Sequence, residues 1–139
     1  MAVDYDHSRN LHTLSGPEKA LPLVFQCTGM PTSMLDLGCG TGTWLRAARR
    51  LGVEDCVGVD GVLLERQQLL IPESSFRYLD LRQAVDLGRR FDCALCLEVG
   101  EHLDPEHADV VLDSLTRHSD TIVFSAACPG QVGQAALNT

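Results

Sequence analysis

The sequence predicts an α/β fold in which a doubly wound, mostly parallel sheet carries helices on both faces. Two observations lead to this prediction. Short apolar runs alternate with segments of helical spacing, and the first run ends in a cluster of glycines from Gly38 to Gly42. A chain of 139 residues, 45% of them hydrophobic, has the size and composition of one globular domain. We expect a polar segment over 1–14 and a single ligand-binding domain over 15–139.

The acidic balance of the chain restricts its partners. A formal net charge of −8 opposes nonspecific binding to nucleic acid and to anionic membranes, because both are negatively charged. The N-terminus lacks the basic start and apolar core of a signal peptide, and no apolar run reaches membrane-spanning length. These features predict a cytoplasmic protein that binds neither nucleic acid nor membrane.

The six cysteines lie mostly inside apolar runs, which is typical of reduced, buried thiols. Cys93 and Cys96 have C-x-x-C spacing, but residues three apart on a strand point to opposite faces of the sheet. No second pair completes a zinc site. We therefore predict no metal at these cysteines.

A helix is expected to begin at Ser15, where the spacing to Glu18 matches a capping box. Pro22 lacks a backbone N–H, so we expect a break or kink before Leu23. After Pro31 the chain alternates between strands and helices. The predicted strands are 33–37, 56–59, 76–79, 92–97 and 121–125, and the predicted helices are 43–51, a short one over about 62–70, and 104–118.

The last predicted helix has the clearest signals. Asp104 is expected to cap it and Pro105 to occupy its first position. Helical spacing predicts its buried face, and both of its histidines are expected to be solvated. The buried residues would be Ala108, Val111, Leu112 and Leu115, and the histidines are His107 and His118.

Acidic side chains end, or nearly end, four of the five predicted strands: Asp36, Asp60, Asp80 and Glu98. In a doubly wound sheet, ligands bind beyond the carboxyl ends of the strands, near the point where strand order reverses. Solvation alone does not explain four acids on one edge. They mark a ligand site, in which Asp60 suits ribose hydroxyls and Asp80 suits an adenine amino group.

The glycine turn (residues 38–42) fits two classes of cofactor, dinucleotides and S-adenosylmethionine (SAM). Its glycines allow a sharp turn and close approach of a ligand to the backbone. The dinucleotide fingerprint is G-x-G-x-x-G, but Thr43 occupies the position of its third glycine. Asp36, just before the turn, would repel a pyrophosphate and suits a cationic ligand. The residues favour SAM and leave a nucleotide-sugar or NAD-dependent enzyme as the alternative.

The segment LDLGCGTG at 35–42 resembles the first motif of class I SAM-dependent methyltransferases. The resemblance continues, in the family's order and spacing, through GVD at 58–60, YLDL at 78–81, FD at 91–92 and LEVGEHL at 97–103. It covers about 30–130. A lone glycine motif would carry far less information than this series.

The resemblance implies a Rossmann-like sheet that binds SAM. The glycine turn would carry the methionine part, Asp60 the ribose, Asp80 and Leu81 the adenine, and Glu98 would line the methyl end. The full set that it assigns to the cofactor is Asp36, Gly38, Cys39, Gly40, Asp60, Gly61, Asp80, Leu81 and Glu98.

The chain departs from this family in length. The family's sheet has seven strands, the last two forming an antiparallel hairpin, whereas this sequence ends soon after the fifth. We therefore expect a domain that is incomplete at its C-terminus. Its fifth strand would be an unpaired edge, which favours pairing with a second copy, so a homodimer through this edge is a hypothesis.

Glu98, Glu101 and His102 follow the fourth strand, where a base would stand if the acceptor must lose a proton. Their E-x-x-E-H spacing resembles the metal-binding stretch of small-RNA 2′-O-methyltransferases. Many methyltransferases carry the E-H pair without a metal, so structural roles stay open. We take Glu101 and His102 as candidate catalytic residues and predict no metal. Trp44 is expected to pack in the core rather than to stack on a ligand.

The sequence thus predicts a SAM-dependent methyltransferase that acts on a small-molecule acceptor. One alternative is a non-catalytic domain that binds SAM or a partner. Another is a metal-assisted RNA 2′-O-methyltransferase. The acceptor is not identified.

Overall fold

The computed structural model describes residues 13–130 and contains one sheet. Its strands are β1 (Ser33–Leu37), β2 (Asp55–Asp60), β3 (Phe76–Tyr78), β4 (Cys93–Leu97) and β5 (Ile122–Ser125), and its helices are α1 (Ser15–Thr28), α2 (Thr43–Arg50) and α3 (Ala108–His118). The strand order is β3-β2-β1-β4-β5, and all four pairings are parallel. The predicted doubly wound, parallel sheet is confirmed.

Apolar side chains cover both faces of the sheet, as expected for parallel strands under helices. Met34 of β1 packs in one cluster with Leu21 of α1, whereas the next residue, Leu35, packs in the other cluster with Leu115 of α3. The same alternation separates the C-x-x-C pair in β4, whose two thiols lie in different clusters. All six cysteines lie within the described residues, and none forms a disulfide.

Helix α1 runs without a break from Ser15 to Thr28, with Pro22 in its interior. The predicted break before Leu23 is therefore wrong. Proline removes one hydrogen-bond donor, but Leu21 is fully buried and Glu18 pairs with Arg50 of α2 at 2.5 Å. This packing keeps the helix continuous. Within the described residues no side chain caps its N-terminus, so the expected capping box does not form.

The segment between β2 and β3 forms two short 3-10 turns, Arg66–Gln68 and Glu73–Ser75, instead of the helix predicted over 62–70. Both ends of that predicted helix are bonded elsewhere. The Val62 N–H donates to Asp60 Oδ1 at 2.8 Å, and the Leu70 N–H donates to the Thr41 carbonyl at 2.8 Å. The second bond ties the segment to the glycine turn.

Helix α3 begins at Ala108, after a 3-10 turn over Pro105–His107. Among the four residues predicted to be buried, Val111 and Leu115 are, whereas Ala108 and Leu112 are exposed. The buried face is therefore rotated by about one position, and its other members are polar: Ser114 and His118.

His118 is fully buried, so its expected exposure is wrong. Its Nδ1 lies 2.6 Å from the Ser114 carbonyl oxygen, and its Nε2 accepts a hydrogen bond from the Leu87 N–H at 3.0 Å. The Ser114 hydroxyl accepts a bond from the Val85 N–H at 3.0 Å. These two side chains attach the irregular segment before β4 to the helix, which satisfies buried backbone groups that would otherwise lack partners.

Candidate cofactor site

A cavity of about 520 Å³ opens beyond the carboxyl ends of the strands. This volume is within the range of small-molecule and cofactor sites. The cavity lies where the strand order reverses between β1 and β4. It brings together eight of the eleven predicted site residues: Gly38, Cys39, Gly40, Asp60, Gly61, Leu81, Glu98 and His102. Asp36, Asp80 and Glu101 do not line it.

In the glycine turn, the backbone N–H groups of Gly38, Cys39, Gly40 and Gly42 are bonded within the protein. Gly38 and Cys39 both donate to the Val59 carbonyl, at 2.7 and 3.0 Å, and Gly40 donates to Asp60 Oδ2 at 2.8 Å. A loop that cradles a phosphate needs such N–H groups for the anion. Because these four are used internally, the turn is poorly suited to the pyrophosphate of a dinucleotide.

Gly38 joins the turn to the loop after β4. Its φ is +86°, and a Cβ at this position would overlap Cγ2 of Val99. Valine is branched at Cβ and rotates little, so the overlap has no simple relief. The need for a turn is therefore not the only reason for glycine at position 38. The close approach of Val99 also excludes a side chain there.

Asp60 is buried at the end of β2, and its carboxylate holds two segments in place. Oδ2 accepts the Gly40 N–H and Oδ1 accepts the Val62 N–H, both at 2.8 Å. A carboxylate can accept up to about four hydrogen bonds, so these contacts are compatible with binding hydroxyl groups as well. Asp60 therefore positions the glycine turn, a role that the sequence did not predict.

Asp36 lies beneath the turn with only 2% of its surface exposed. Burial, and secondarily the charge of Asp60, raises its pKa to about 8. At neutral pH the side chain is therefore mostly protonated and offers little charge to a cationic ligand. This placement does not favour the expected role of Asp36 as the partner of a cationic ligand.

Asp80 follows β3 and is engaged by Arg82. The Arg82 guanidinium contacts both carboxylate oxygens, with Nη2 at 2.7 Å from Oδ2, and the Arg82 backbone N–H donates to Oδ1 at 2.9 Å. The hydrogen bond to the Arg82 side chain lowers the Asp80 pKa to about 2. The carboxylate thus stabilises the turn that carries Leu81 into the cavity, whereas Asp80 itself does not line it.

Glu98 begins the loop after β4, and it has a positive φ of +55°, the one such non-glycine residue among residues 13–130. Its Oε1 accepts the Ser125 hydroxyl at 2.7 Å, and its N–H donates to the Ser125 carbonyl at 2.9 Å. Both residues line the cavity. A strained backbone beside a cavity is typical of functional sites.

The two candidate catalytic residues are placed differently. His102 lines the cavity, whereas both carboxylate oxygens of Glu101 are buried without a hydrogen-bond partner among the described residues. Within residues 13–130, the side chains of Glu98, Glu101 and His102 do not lie close enough together to share a metal ion. The side chains that do are those of Asp104, Glu106 and His107.

Trp44 and Ser125 are among the further residues that line the cavity. Trp44 both packs against the apolar cluster beneath α1 and α2 and lines the cavity, so the expected choice between core and ligand contact does not arise. Ser125, at the end of β5, was not predicted. The rule that ligands bind at the carboxyl ends of strands could have identified it, because it ends a predicted strand.

Residues 3–125 match the family model that is described as a methyltransferase domain. The chain belongs to the methyltransferase domain family. Among solved structures, DesVI of Streptomyces venezuelae is similar with a TM-score of 0.67 and 23% identity, over 86% of this chain and 53% of DesVI. Magnesium protoporphyrin IX methyltransferase of Synechocystis, solved with bound SAM, has a TM-score of 0.63 and 23% identity, over 89% of this chain and 64% of that one.

The sugar N-methyltransferase KedS8 of Streptoalloteichus is also similar, with a TM-score of 0.67 and 22% identity, over 86% of this methyltransferase domain and 51% of KedS8. At these identities the likeness shows the fold. This methyltransferase domain thus spans between 51% and 64% of the length of these three structures. No curated protein matches the chain.

Proposed function

We propose that this methyltransferase domain binds SAM and transfers its methyl group to a small-molecule acceptor. The observation that carries the proposal is the internal bonding of the glycine turn to Val59 and Asp60, which leaves no ready phosphate cradle beside a cavity of cofactor size. A nucleoside cofactor without phosphate suits such a turn.

The residues of the cavity fit SAM in chemistry. Asp60 offers a carboxylate for ribose hydroxyls, Leu81 an apolar surface for adenine, and Glu98 a negative charge for a cation. When bound, SAM supplies an electrophilic methyl group on a positively charged sulfur. The glycine turn lets the ligand approach the backbone without a Cβ in the way.

The chain's own contribution to such a reaction is alignment and exclusion of water. Leu97, Val99 and Leu103 supply apolar surface beside the strand ends, and His102 lies among them on the same cavity. The position of His102 on the cavity supports a role in accepting a proton from the acceptor, whereas Glu101 does not line the cavity. We therefore propose His102 as the proton-handling residue and assign Glu101 no chemical step.

The chemistry of the cavity favours a small acceptor over nucleic acid. No Lys or Arg is among the lining residues in the described part of the chain. The cluster of arginines on α2, which could have formed a basic patch, is engaged elsewhere: Arg46 donates to the Leu70 carbonyl, Arg49 to the Glu54 carbonyl, and Arg50 pairs with Glu18. Phosphate contacts need free cationic side chains.

Calorimetric titration of the whole chain with SAM, with its demethylated product S-adenosylhomocysteine (SAH) and with NAD tests the proposal. We expect both SAM and SAH to bind with 1:1 stoichiometry and NAD not to bind. Binding of NAD without SAM would overturn the proposal.

A non-catalytic SAM-binding domain is the second candidate, because the residues that line the cavity account for binding of SAM without requiring turnover. Methyl-group consumption, followed as SAH formation with a panel of small acceptors, separates the two functions. Tight SAM binding with no SAH formed from any acceptor would favour the second candidate.

We further propose pairing of two copies through the edge strand β5, and a cytoplasmic location. Supporting the first, β5 has one neighbouring strand in residues 13–130, and its Phe124 is half exposed. Light scattering at high concentration would refute it by showing a monomer only. Supporting the cytoplasmic location, none of the six cysteines, all within the described residues, forms a disulfide. No helix within residues 13–130 is long and apolar enough to cross a membrane.

A further inference from the structure

One end of the cavity is formed by Glu98 and Ser125, at the adjoining ends of β4 and β5. Two hydrogen bonds join these residues, from the Ser125 hydroxyl to Glu98 Oε1 at 2.7 Å and from the Glu98 N–H to the Ser125 carbonyl at 2.9 Å. Ser125 is the one hydrogen-bond partner that residues 13–130 give the Glu98 carboxylate. The bonds fix the position of the carboxylate at a lining position that is also exposed to solvent.

The backbone at Glu98 indicates that this position matters. Its φ of +55° is unfavourable for a side chain with a Cβ and is usually taken by glycine or asparagine. Glutamate adopts it here while keeping both bonds to Ser125. A glycine would relieve the strain but would remove the carboxylate from the cavity.

The surrounding charges determine what this carboxylate can bind. Within the described residues the charged side chains that line the cavity are acidic, Asp60 and Glu98, and only His102 adds a group that can become positive. An acceptor that carries a carboxylate or phosphate would meet two acids and no lysine or arginine. An amino group would find a charged hydrogen-bond acceptor, and such bonds are stronger than neutral ones.

We propose that the Glu98–Ser125 end of the cavity is a subsite for an amino group, and that the methyl acceptor is an amine. The inference rests on the proposed function, since it names the acceptor class for the same site. It predicts that hydroxyl and carboxylate acceptors are disfavoured.

The transfer balances in charge and atoms. An amine that enters as its ammonium form first releases a proton to His102, which passes it on to solvent water. Its nitrogen lone pair then forms a bond to the methyl carbon while the carbon–sulfur bond breaks, and the electron pair of that bond stays on sulfur. One positive charge passes from sulfur to nitrogen, so the Glu98 carboxylate faces a cation before and after transfer. An alcohol acceptor would instead end as a neutral ether.

The subsite can be tested by binding alone, with sinefungin, a SAM analogue that bears an amino group in place of the methyl sulfonium, compared with SAH, which has neither. The measured quantity is the ratio of the two dissociation constants, Kd for SAH over Kd for sinefungin, obtained by calorimetry on the whole chain. We expect a ratio of about ten or more in the native protein, because a hydrogen bond to a charged group is worth roughly that factor or more. In Glu98→Gln the ratio should fall at least about fivefold.

Ser125→Ala should lower the ratio by a smaller factor, because the carboxylate remains but loses its anchor. The matched control is Glu54→Gln, which removes the same charge at an exposed position directly before β2. This position lies at the amino-terminal ends of the strands, whereas the cavity lies at their carboxyl ends. The control should leave the ratio unchanged.

The binding results decide whether the Glu98–Ser125 end holds an amino group, and SAH formation from an amine and from the alcohol of the same carbon skeleton decides the acceptor class: more SAH from the alcohol overturns the inference. A ratio near one in the native protein, or a ratio that Glu98→Gln does not change, overturns the amino subsite while SAH binding still supports the proposed function. Loss of SAH binding in Glu98→Gln, in parallel with sinefungin, assigns Glu98 to the fold and also overturns it. Failure of the native protein to bind either ligand removes the proposed function, and the inference with it.

Discussion

The glycine turn (residues 38–42) and the β4 loop (residues 97–103) border the same cavity, but they hold their polar groups in different ways. In the glycine turn the positive φ angles belong to glycines, and the N–H groups of Gly38, Cys39 and Gly40 have partners in β2 or at its end. In the β4 loop, Glu98 adopts a positive φ, and the buried oxygens of Glu101 have no partner among the described residues.

This difference indicates different tasks. A turn whose conformation agrees with its residue types and whose donors are satisfied keeps one shape, which suits an invariant cofactor. A loop that stores backbone strain and an unsatisfied carboxylate is held by the structure around it, which is typical of positions that face a reacting group. The following changes test the contrast, in order of expected effect.

Gly38→Ala should have the largest effect, because it adds both positive-φ strain and overlap with Val99. We expect a loss of about 3 kcal/mol in the free energy of unfolding and at least a tenfold loss of SAM affinity. Urea denaturation and calorimetry measure the two quantities.

The control is Gly88→Ala, where φ is also positive, at +67°, but no atom lies within 4 Å of the added Cβ. It should lose only about 1 kcal/mol and no affinity. Equal losses in the two variants would show that the contact with Val99 is unimportant.

Asp60→Asn should weaken SAM binding by about 2–3 kcal/mol, roughly 30- to 150-fold, because the carboxylate both faces the cavity and accepts the Gly40 and Val62 N–H groups. Asp80→Asn is its matched comparison. That carboxylate is paired with Arg82 away from the lining, so we expect a loss of less than about fivefold. A larger effect at Asp80 than at Asp60 would reverse our assignment of the two acids.

Asp36→Asn should change the pH dependence of stability. The native pKa of about 8 lies above the unfolded value near 3.9. Between these values the unfolded state binds fewer protons than the native state, so native stability falls as pH rises and the contribution is lost above about pH 8.

The asparagine variant has no such proton, so its stability should fall less between pH 5.5 and 8.5. We expect it to be more stable than the native protein at pH 8.5 by about 1–2 kcal/mol in urea denaturation. Identical pH profiles for the two proteins would contradict the buried, protonated state of Asp36.

Glu101→Gln should have the smallest effect on the free energy of unfolding, and its effect should be opposite in sign to that of Gly38→Ala. Replacing an unpartnered buried carboxylate by a neutral amide should raise the free energy of unfolding by about 1 kcal/mol. SAH affinity should not change, because Glu101 does not line the cavity. Glu106→Gln, at an exposed position, should stay within about 0.5 kcal/mol of the native protein. A destabilised Glu101 variant would show that this carboxylate has a stabilising partner.

Much of the fold could be predicted because its signals are local. The β1 strand over 33–37, the glycines after it and the apolar run of β4 are legible in short windows of sequence, and the structure contains each of them. Pro22 shows the limit: its local preference for a break is outweighed by the burial of Leu21 and the packing of α1 on α2. His118 shows a second limit of prediction from local sequence. Its ring bonds to the N–H of Leu87, which lies in an irregular segment without periodicity.

For the site, the sequence by itself determined which strand ends carry acids and that a glycine turn joins β1 to α2, because strand ends and turns are set by neighbouring residues. Only the tertiary structure decided how those acids differ. Asp36 is buried under the turn, and Asp80 is paired with Arg82. Glu98 is anchored by Ser125, and Asp60 both lines the cavity and supports the turn. The physical reason is that the solvation and hydrogen bonding of Asp36, Asp60 and Glu98 depend on groups brought close by the fold, up to 27 positions away for Ser125 and Glu98, and no short window of sequence contains them. The pair of Asp80 and Arg82, two positions apart, is the local exception.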